Sequence, residues 1–194
     1  VLRKKRITRG FSCEVWWVTT ADGQELMYRA NWYVNWDKQR DVHFENENWA
    51  LQQCEARGIP APRFLHIEHK LPGYPYRSTI VNTRVEGEPL KLLMERDGLS
   101  DVDALLTEAG RWLGQLHQIP THGFGHLDEN GNGAAQNWWE AYSRRLDPDR
   151  LRQAADNTGL PWLLTEEGIK LLEDNASLGD GVRPCLLHGQ FGLE

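Results

Sequence analysis

Cysteine is scarce: Cys13, Cys54 and Cys185 are the three in a chain of 194 residues. They are far apart, with no Cys-x-x-Cys pair. An odd and scattered set is not a disulfide framework, and it predicts a reducing, cytoplasmic setting. Long apolar runs are missing too. No stretch reaches the roughly 18 residues of a membrane span, and no secretory leader is expected before the first strand. Excess positive charge is absent: 22 Lys and Arg face 28 Asp and Glu, a net charge of −6. A nucleic-acid surface needs a basic stripe, so that partner class is excluded. Seven histidines are dispersed along the chain, and no zinc site is expected from them.

Tryptophan, by contrast, is abundant, with nine in the chain. Trp16-Trp17 and Trp138-Trp139 are adjacent pairs. Two readings stand side by side: core packing, or an aromatic wall for a planar or sugar-like ligand. The four cations Arg3, Lys4, Lys5 and Arg6 read as a short solvated arm.

The first part of the chain alternates like a β-sheet. Glu14–Thr20 is β-branched and aromatic, Asp22-Gly23 signals a tight hairpin turn, and Gln24–Trp32 is the returning strand. Phe44–Arg57 reads as a helix stopped by Gly58. Ile59-Pro60-Ala61-Pro62 must be extended, because a residue before proline avoids the helical region. Arg63–Lys70 and Ser78–Arg84 read as two further strands around the turn-rich Leu71–Pro75. Glu86-Gly87-Glu88-Pro89 marks a boundary, after which the pattern turns helical. Asp101–Gln118 carries Val102, Leu105, Leu106, Ala109, Trp112, Leu113 and Leu116 at helical spacing, with Ser100–Asp103 as its cap. Thr121–Gln136 reads as a Gly-rich loop. Trp138–Leu146 and Thr165–Asn175 read as helices, with Pro148 and Pro161 as breakers. Leu186–Gly189 returns to an extended form.

Several residues could carry chemistry. Gly10-Phe11-Ser12 precedes the first long strand, and such a loop can bring backbone N–H groups and the Ser12 hydroxyl to phosphate oxygens. Arg29 lies in the returning strand, and Glu47 early in the helix after it. Thr83-Arg84-Val85-Glu86-Gly87 links the strand-rich and helical parts. The run Cys185-Leu186-Leu187 delivers His188-Gly189-Gln190 to a loop near Glu194.

In this order, these motifs resemble the aminoglycoside phosphotransferase and choline kinase families, a branch of the protein-kinase-like fold, across essentially the whole chain. The resemblance implies an α+β fold. Residues 1–85 would form an N-terminal antiparallel β-lobe that binds nucleotide, and residues 86–194 a partial helical lobe ending at the catalytic loop. It implies Arg29 as the phosphate-binding cation, Glu47 as the carboxylate that holds it, Ser12 in the phosphate-covering loop, and the backbone of Thr83 and Val85 as the adenine-reading hinge. The family's catalytic loop reads His-Gly-Asp, with the Asp as base. Here Gln190 takes that place, and His188 is a loop brace. The nucleotide would be ATP or GTP. Mg²⁺ is expected for the family, but its ligand motifs are not among these residues, so no metal ligand is assigned. The parent activity would be phosphorylation of a small-molecule hydroxyl. This chain would be a truncated or inactive form, or else a non-catalytic pseudokinase-like binding protein. Apolar surface left open on the helical part would favour a homodimer or domain swap.

Overall fold

A computed structural model describes residues 1–7, 13–31, 42–69, 78–97 and 102–189. Five antiparallel strands form the first sheet: β1 (Arg3–Ile7), β2 (Cys13–Thr19), β3 (Glu25–Asn31), β4 (Phe64–Glu68) and β5 (Thr79–Thr83), in the order β1-β2-β3-β5-β4. Helix α1 (Val42–Ala56) comes between β3 and β4. Helices α2 (Leu90–Asp97) and α3 (Val102–Leu116) follow. A two-stranded sheet of β6 (Phe124–Leu127) and β7 (Gly133–Ala135) comes next. Helices α4 (Trp138–Ser143), α5 (Pro148–Thr158) and α6 (Trp162–Asp174) and a 3-10 turn at Ala176–Gly179 complete the described elements. The chain divides into two compact units, Val1–Ile119 with Leu186–Glu194, and Pro120–Cys185.

The first sheet is held in register by its hairpins. Between β2 and β3 the Thr20 N–H donates to the Gln24 carbonyl at 2.9 Å, and Thr20 and Asp22 bond through their side chains. The Asp22-Gly23 signal thus turns the chain, within a loop longer than two residues. Directly opposed residues share a face in antiparallel pairs. Val15, Arg29, Ile80 and Ile67 therefore form one cross-strand row, and Trp17, Met27, Asn82 and Phe64 the next row on the same face. Ile80 is fully buried and Ala30 and Thr79 nearly so, which places the core around the central strands β3 and β5.

Helix α1 ends as its sequence dictates. The Gly58 N–H reaches the Glu55 carbonyl at 3.2 Å, and the Ile59 N–H reaches back to the Cys54 carbonyl at 3.0 Å. Gly58 sits at φ 67°, which a side chain would strain. Ile59 and Cys54 are both buried, closing the helix end with an apolar contact.

Four expectations change. Arg3–Ile7 is a paired edge strand rather than a free arm, its backbone matched from Arg3↔Thr19 to Ile7↔Val15. Its side chains stay largely exposed, and Lys4 lies over the Trp16 ring at 5.3 Å. Thr121–Gln136 is not all loop, since β6 and β7 pair within it. Pro148 opens α5 rather than breaking a helix: its missing N–H costs nothing in the first turn, and the Asp147 carboxylate caps the Arg150 N–H at 2.9 Å. Helix α6 starts at Trp162, directly after Pro161. The cap expected at Ser100–Asp103 and the turn at Leu71–Pro75 fall largely outside the described residues. The stripe on α3 is only partly covered, with Ala109, Trp112, Leu113 and Leu116 half-buried and Leu105 and Leu106 exposed.

In the second unit, Trp138 stacks on Tyr142 with ring centroids 5.0 Å apart. The two strands of the small sheet cross so closely that a Cβ on Gly133 would lie 2.3 Å from the Gly123 carbonyl carbon. The Asp128 carboxylate closes their turn, accepting from the backbone N–H groups of Asn130 and Asn132, each at 2.8 Å. His122 and His126 are four residues apart, but His122 precedes β6 and His126 lies within it, so they do not line one face of a helix.

Two outcomes follow from this packing. Gly133→Ala should destabilise the protein by about 1–3 kcal/mol through backbone overpacking. Gly168→Ala, whose Cβ meets nothing within 4 Å on helix α6, should stabilise it by about 0.5–1 kcal/mol. Urea unfolding of both variants checks the pair. The Asn132 side chain, then the backbone N–H groups, hold the Asp128 carboxyl below its usual range. A lowered folded pKa gives stability that is present above the unfolded value and lost as pH falls through the folded one. The amides of Asn130 and Asn132 should therefore lose exchange protection only in acid below the ordinary Asp range, as NMR would record.

Candidate functional site

Strand β3 brings Arg29 to the face it shares with Val15 and Ile80. Helix α1 brings Glu47 to the same place, and the Arg29 Nη2 donates to the Glu47 Oε1. Their side chains are 25% and 32% exposed, so the pair is sheltered but reachable. The Arg29 guanidinium also lies over the ring of buried Phe44, one turn earlier on the helix, at 5.6 Å from its centroid. Two contacts of different kinds thus fix one cation.

Helix α1 has a second carboxylate two residues before Glu47, nearly on its opposite side, and it goes elsewhere. Glu45 faces His69 with Oε1 3.2 Å from the ring nitrogen. Cys13 shares the field of the Arg29–Glu47 pair. Burial pushes its thiol pKa up, against the lowering effect of Arg29 and with the raising effect of Glu47.

Strand β5 ends at the linking segment. The Thr83 N–H donates to the Arg63 carbonyl at 2.9 Å, and its hydroxyl accepts from the Arg63 N–H at 2.8 Å. Of the two backbone groups of Thr83, the N–H is thus already committed. Val85 is exposed, and among the described residues its backbone makes no hydrogen bond. Arg84 lies between them, 4.0 Å above the Trp17 ring and bonded to Glu25 at 2.8 Å.

The loop expected to carry the base is approached by Leu186, buried, whose N–H donates to the Ile119 carbonyl at 2.9 Å. His188 is exposed and Gly189 adopts φ 82°. Ser12 and Gln190 lie outside the described residues. Sequence reasoning missed Phe44 and Cys13 as neighbours of Arg29. Phe44 was legible only as the first residue of a helix, and Cys13 only as the residue after the Gly10-Phe11-Ser12 loop.

A family model for the phosphotransferase enzyme family matches residues 4–193. The chain belongs to this family. No curated protein sequence matches it. Among solved structures it is similar to the aminoglycoside phosphotransferase APH(4)-Ia, with TM-score 0.60 and 16% identity over 76% of this chain and 46% of that one. A thermostable mutant of that enzyme, in a ternary complex with AMP-PNP and hygromycin B, gives TM-score 0.67 and 15% identity over 93% of this chain and 56% of that one. A further ternary complex, with ADP and hygromycin B, gives TM-score 0.67 and 15% identity over 93% and 56%. At these identities the likeness establishes the fold: an α+β, protein-kinase-like arrangement with an antiparallel N-terminal sheet. The chain spans about half the length of these structures. No helix among the described residues is long and apolar enough to cross a membrane.

The phosphotransferase-family β-sheet and α1 should be coupled through Arg29 and Glu47. Arg29→Gln and Glu47→Gln should each lower unfolding stability. The double variant should fall short of their sum by about 0.5–1 kcal/mol, as contacting charges do. Urea titration of the four-member cycle measures that difference; strict additivity would place the two side chains apart in solution.

Proposed function

We propose that the chain carries the nucleotide-binding part of a phosphotransferase that moves the terminal phosphoryl group of ATP to a small-molecule hydroxyl. GTP is the other nucleotide the reading admits. The observation that carries it is the Arg29–Glu47 pair in a chain whose family match runs from residue 4 to 193. A planar guanidinium held by a carboxylate can bridge phosphate oxygens in a fixed orientation. In this reading residues 1–85 are the nucleotide lobe and 86–194 the partial helical lobe; all five strands of the first sheet precede residue 85. Ser12 supplies a hydroxyl to the phosphates. The backbone of Thr83 and Val85 reads the base edge, and the engaged Thr83 N–H leaves its carbonyl for that task. The acceptor is an aminoglycoside, choline-like or sugar hydroxyl; hygromycin B in the similar structures favours the first.

Gln190 stands where the family has its catalytic Asp. An amide can orient a hydroxyl but cannot take its proton, and His188 braces the loop. Phosphoryl transfer relies chiefly on positioning and charge stabilisation. Among the described residues no group of three His, Cys, Asp or Glu is placed to hold a metal ion. Those described residues do not fit Mg²⁺. The chain is thus read as inactive or nearly so. Gln190 also favours the second reading, a pseudokinase-like binding protein on the same surface. Self-association belongs to either reading, through exposed leucines such as Leu163 and Leu171 on α6; sedimentation across a concentration series decides it.

Calorimetric titration of the 194-residue chain should give weak ATP binding, lost on Arg29→Gln and on Glu47→Gln to a similar degree. Absence of heat at millimolar ATP with folded protein sinks the reading. Transfer of labelled phosphate to aminoglycosides, choline and sugars should stay near background. In a longer form of the protein that carries the family's metal motifs, Gln190→Asp should raise the rate by roughly 10²–10⁴-fold.

A further inference from the structure

Helix α1 buries Phe44, and two carboxylates stand on either flank of that ring. At about 100° per residue, Glu47 projects roughly 60° to one side of Phe44 and Glu45 roughly 100° to the other. Each reaches a different strand. Glu47 accepts from Arg29 on β3. Glu45 Oε1 lies 3.2 Å from Nε2 of His69, the residue that follows β4. In the sheet, β5 separates those two strands. The helix is thus moored on both sides of a central strand, and the two moorings together set its roll about its own axis.

The Glu45 mooring depends on His69. Glu45 Oε2 is buried with no hydrogen-bond partner. The carboxylate next to His69 in sequence, Glu68, faces His66 at 3.5 Å, while His69 faces Glu45. Without the His69 ring, a partly buried carboxylate would lose the contact that offsets its desolvation. Its relief is to turn toward water, and a small roll of α1 takes it there. The same roll carries Glu47, on the other flank, away from Arg29. We infer that His69 is a positioning residue: through Glu45 it fixes the roll of α1 that presents Glu47 to Arg29. This rests on the nucleotide reading of the Arg29–Glu47 pair and deepens it by naming the contact that holds the pair in register.

The test has two readouts on the 194-residue chain. The first needs no nucleotide. Arg29 lies over the Phe44 ring at 5.6 Å, so the NMR resonance of its Nε–H carries a ring-current shift that reports where the guanidinium sits. His69→Ala should move this resonance in the direction that Glu47→Gln moves it. His69→Gln, whose amide offers an N–H at similar reach, should move it back. The second readout is calorimetry with ATP. His69→Ala should weaken binding roughly three- to tenfold, and His69→Gln should recover most of the loss. A histidine that only adds stability would lower the urea midpoint and leave both the resonance and the folded chain's affinity where they were. An unmoved resonance overturns the inference, and so does unchanged ATP affinity in His69→Ala; in either case ATP binding by the unaltered chain keeps the nucleotide reading intact. If the resonance moves and no ATP binds the folded chain, the mooring stands and the nucleotide reading falls.

Discussion

The fold of the first unit converges on one cation. Arg29 belongs to a central strand, and its partner Glu47 belongs to the helix that the chain builds next. A partly sheltered ion pair is a weak source of stability, because desolvation offsets most of its attraction. It is a strong source of position. A guanidinium that is bonded to a carboxylate and laid on the Phe44 ring has few orientations left. Strand register, helix end and buried ring are therefore constraints on a single planar group. The thiol of Cys13 shares that field and stays protonated through burial, so it adds no second charge beside the pair.

Much of this was legible from local chemistry. The alternation of Glu14–Thr20, the Asp22-Gly23 turn and the Gly58 stop are each decided within a few residues; the strand and the stop form as read, and the turn forms within a longer loop. Glu47 as the partner of Arg29 came from the family resemblance, not from local chemistry. The errors have a common cause, which is that their decisive partner lies elsewhere in the chain. A strand of four cations looks like a solvated arm until β2 lends it a pairing edge. Pro148 looks like a breaker unless Asp147 is known to cap the turn it begins. The pairing of β6 with β7 is hidden because Gly133 contributes no side chain to a pattern and acts by close approach. In the sheet, Asn82 carried no signal, being a lone amide between Val81 and Thr83. Its unpaired oxygen becomes visible only when the sheet is assembled.

The aromatic surplus resolves into a recurring arrangement. Arg84 covers Trp17, Lys4 covers Trp16 and Arg152 covers Trp162, while Trp138 stacks on Tyr142. In a chain of net negative charge, several of its cations are thus spent on ring faces rather than on carboxylates alone. Such contacts are less sensitive to salt than exposed ion pairs, because most of the attraction comes from the ring's fixed charge distribution.

The junction near Ile119 has a different consequence. Ile119 accepts from the Leu186 N–H, and Pro120 bridges Cys185 in antiparallel fashion. The chain enters and leaves the second unit at nearly one point. Everything between behaves as a graft whose two ends are tied together at its base. The entropy of closing so long an excursion grows only with the logarithm of its length. Lineages could therefore lengthen, shorten or exchange this graft while the strands carrying Arg29 kept their register. A protein made this way can change what one unit presents to its surroundings without re-solving the packing problem of the other.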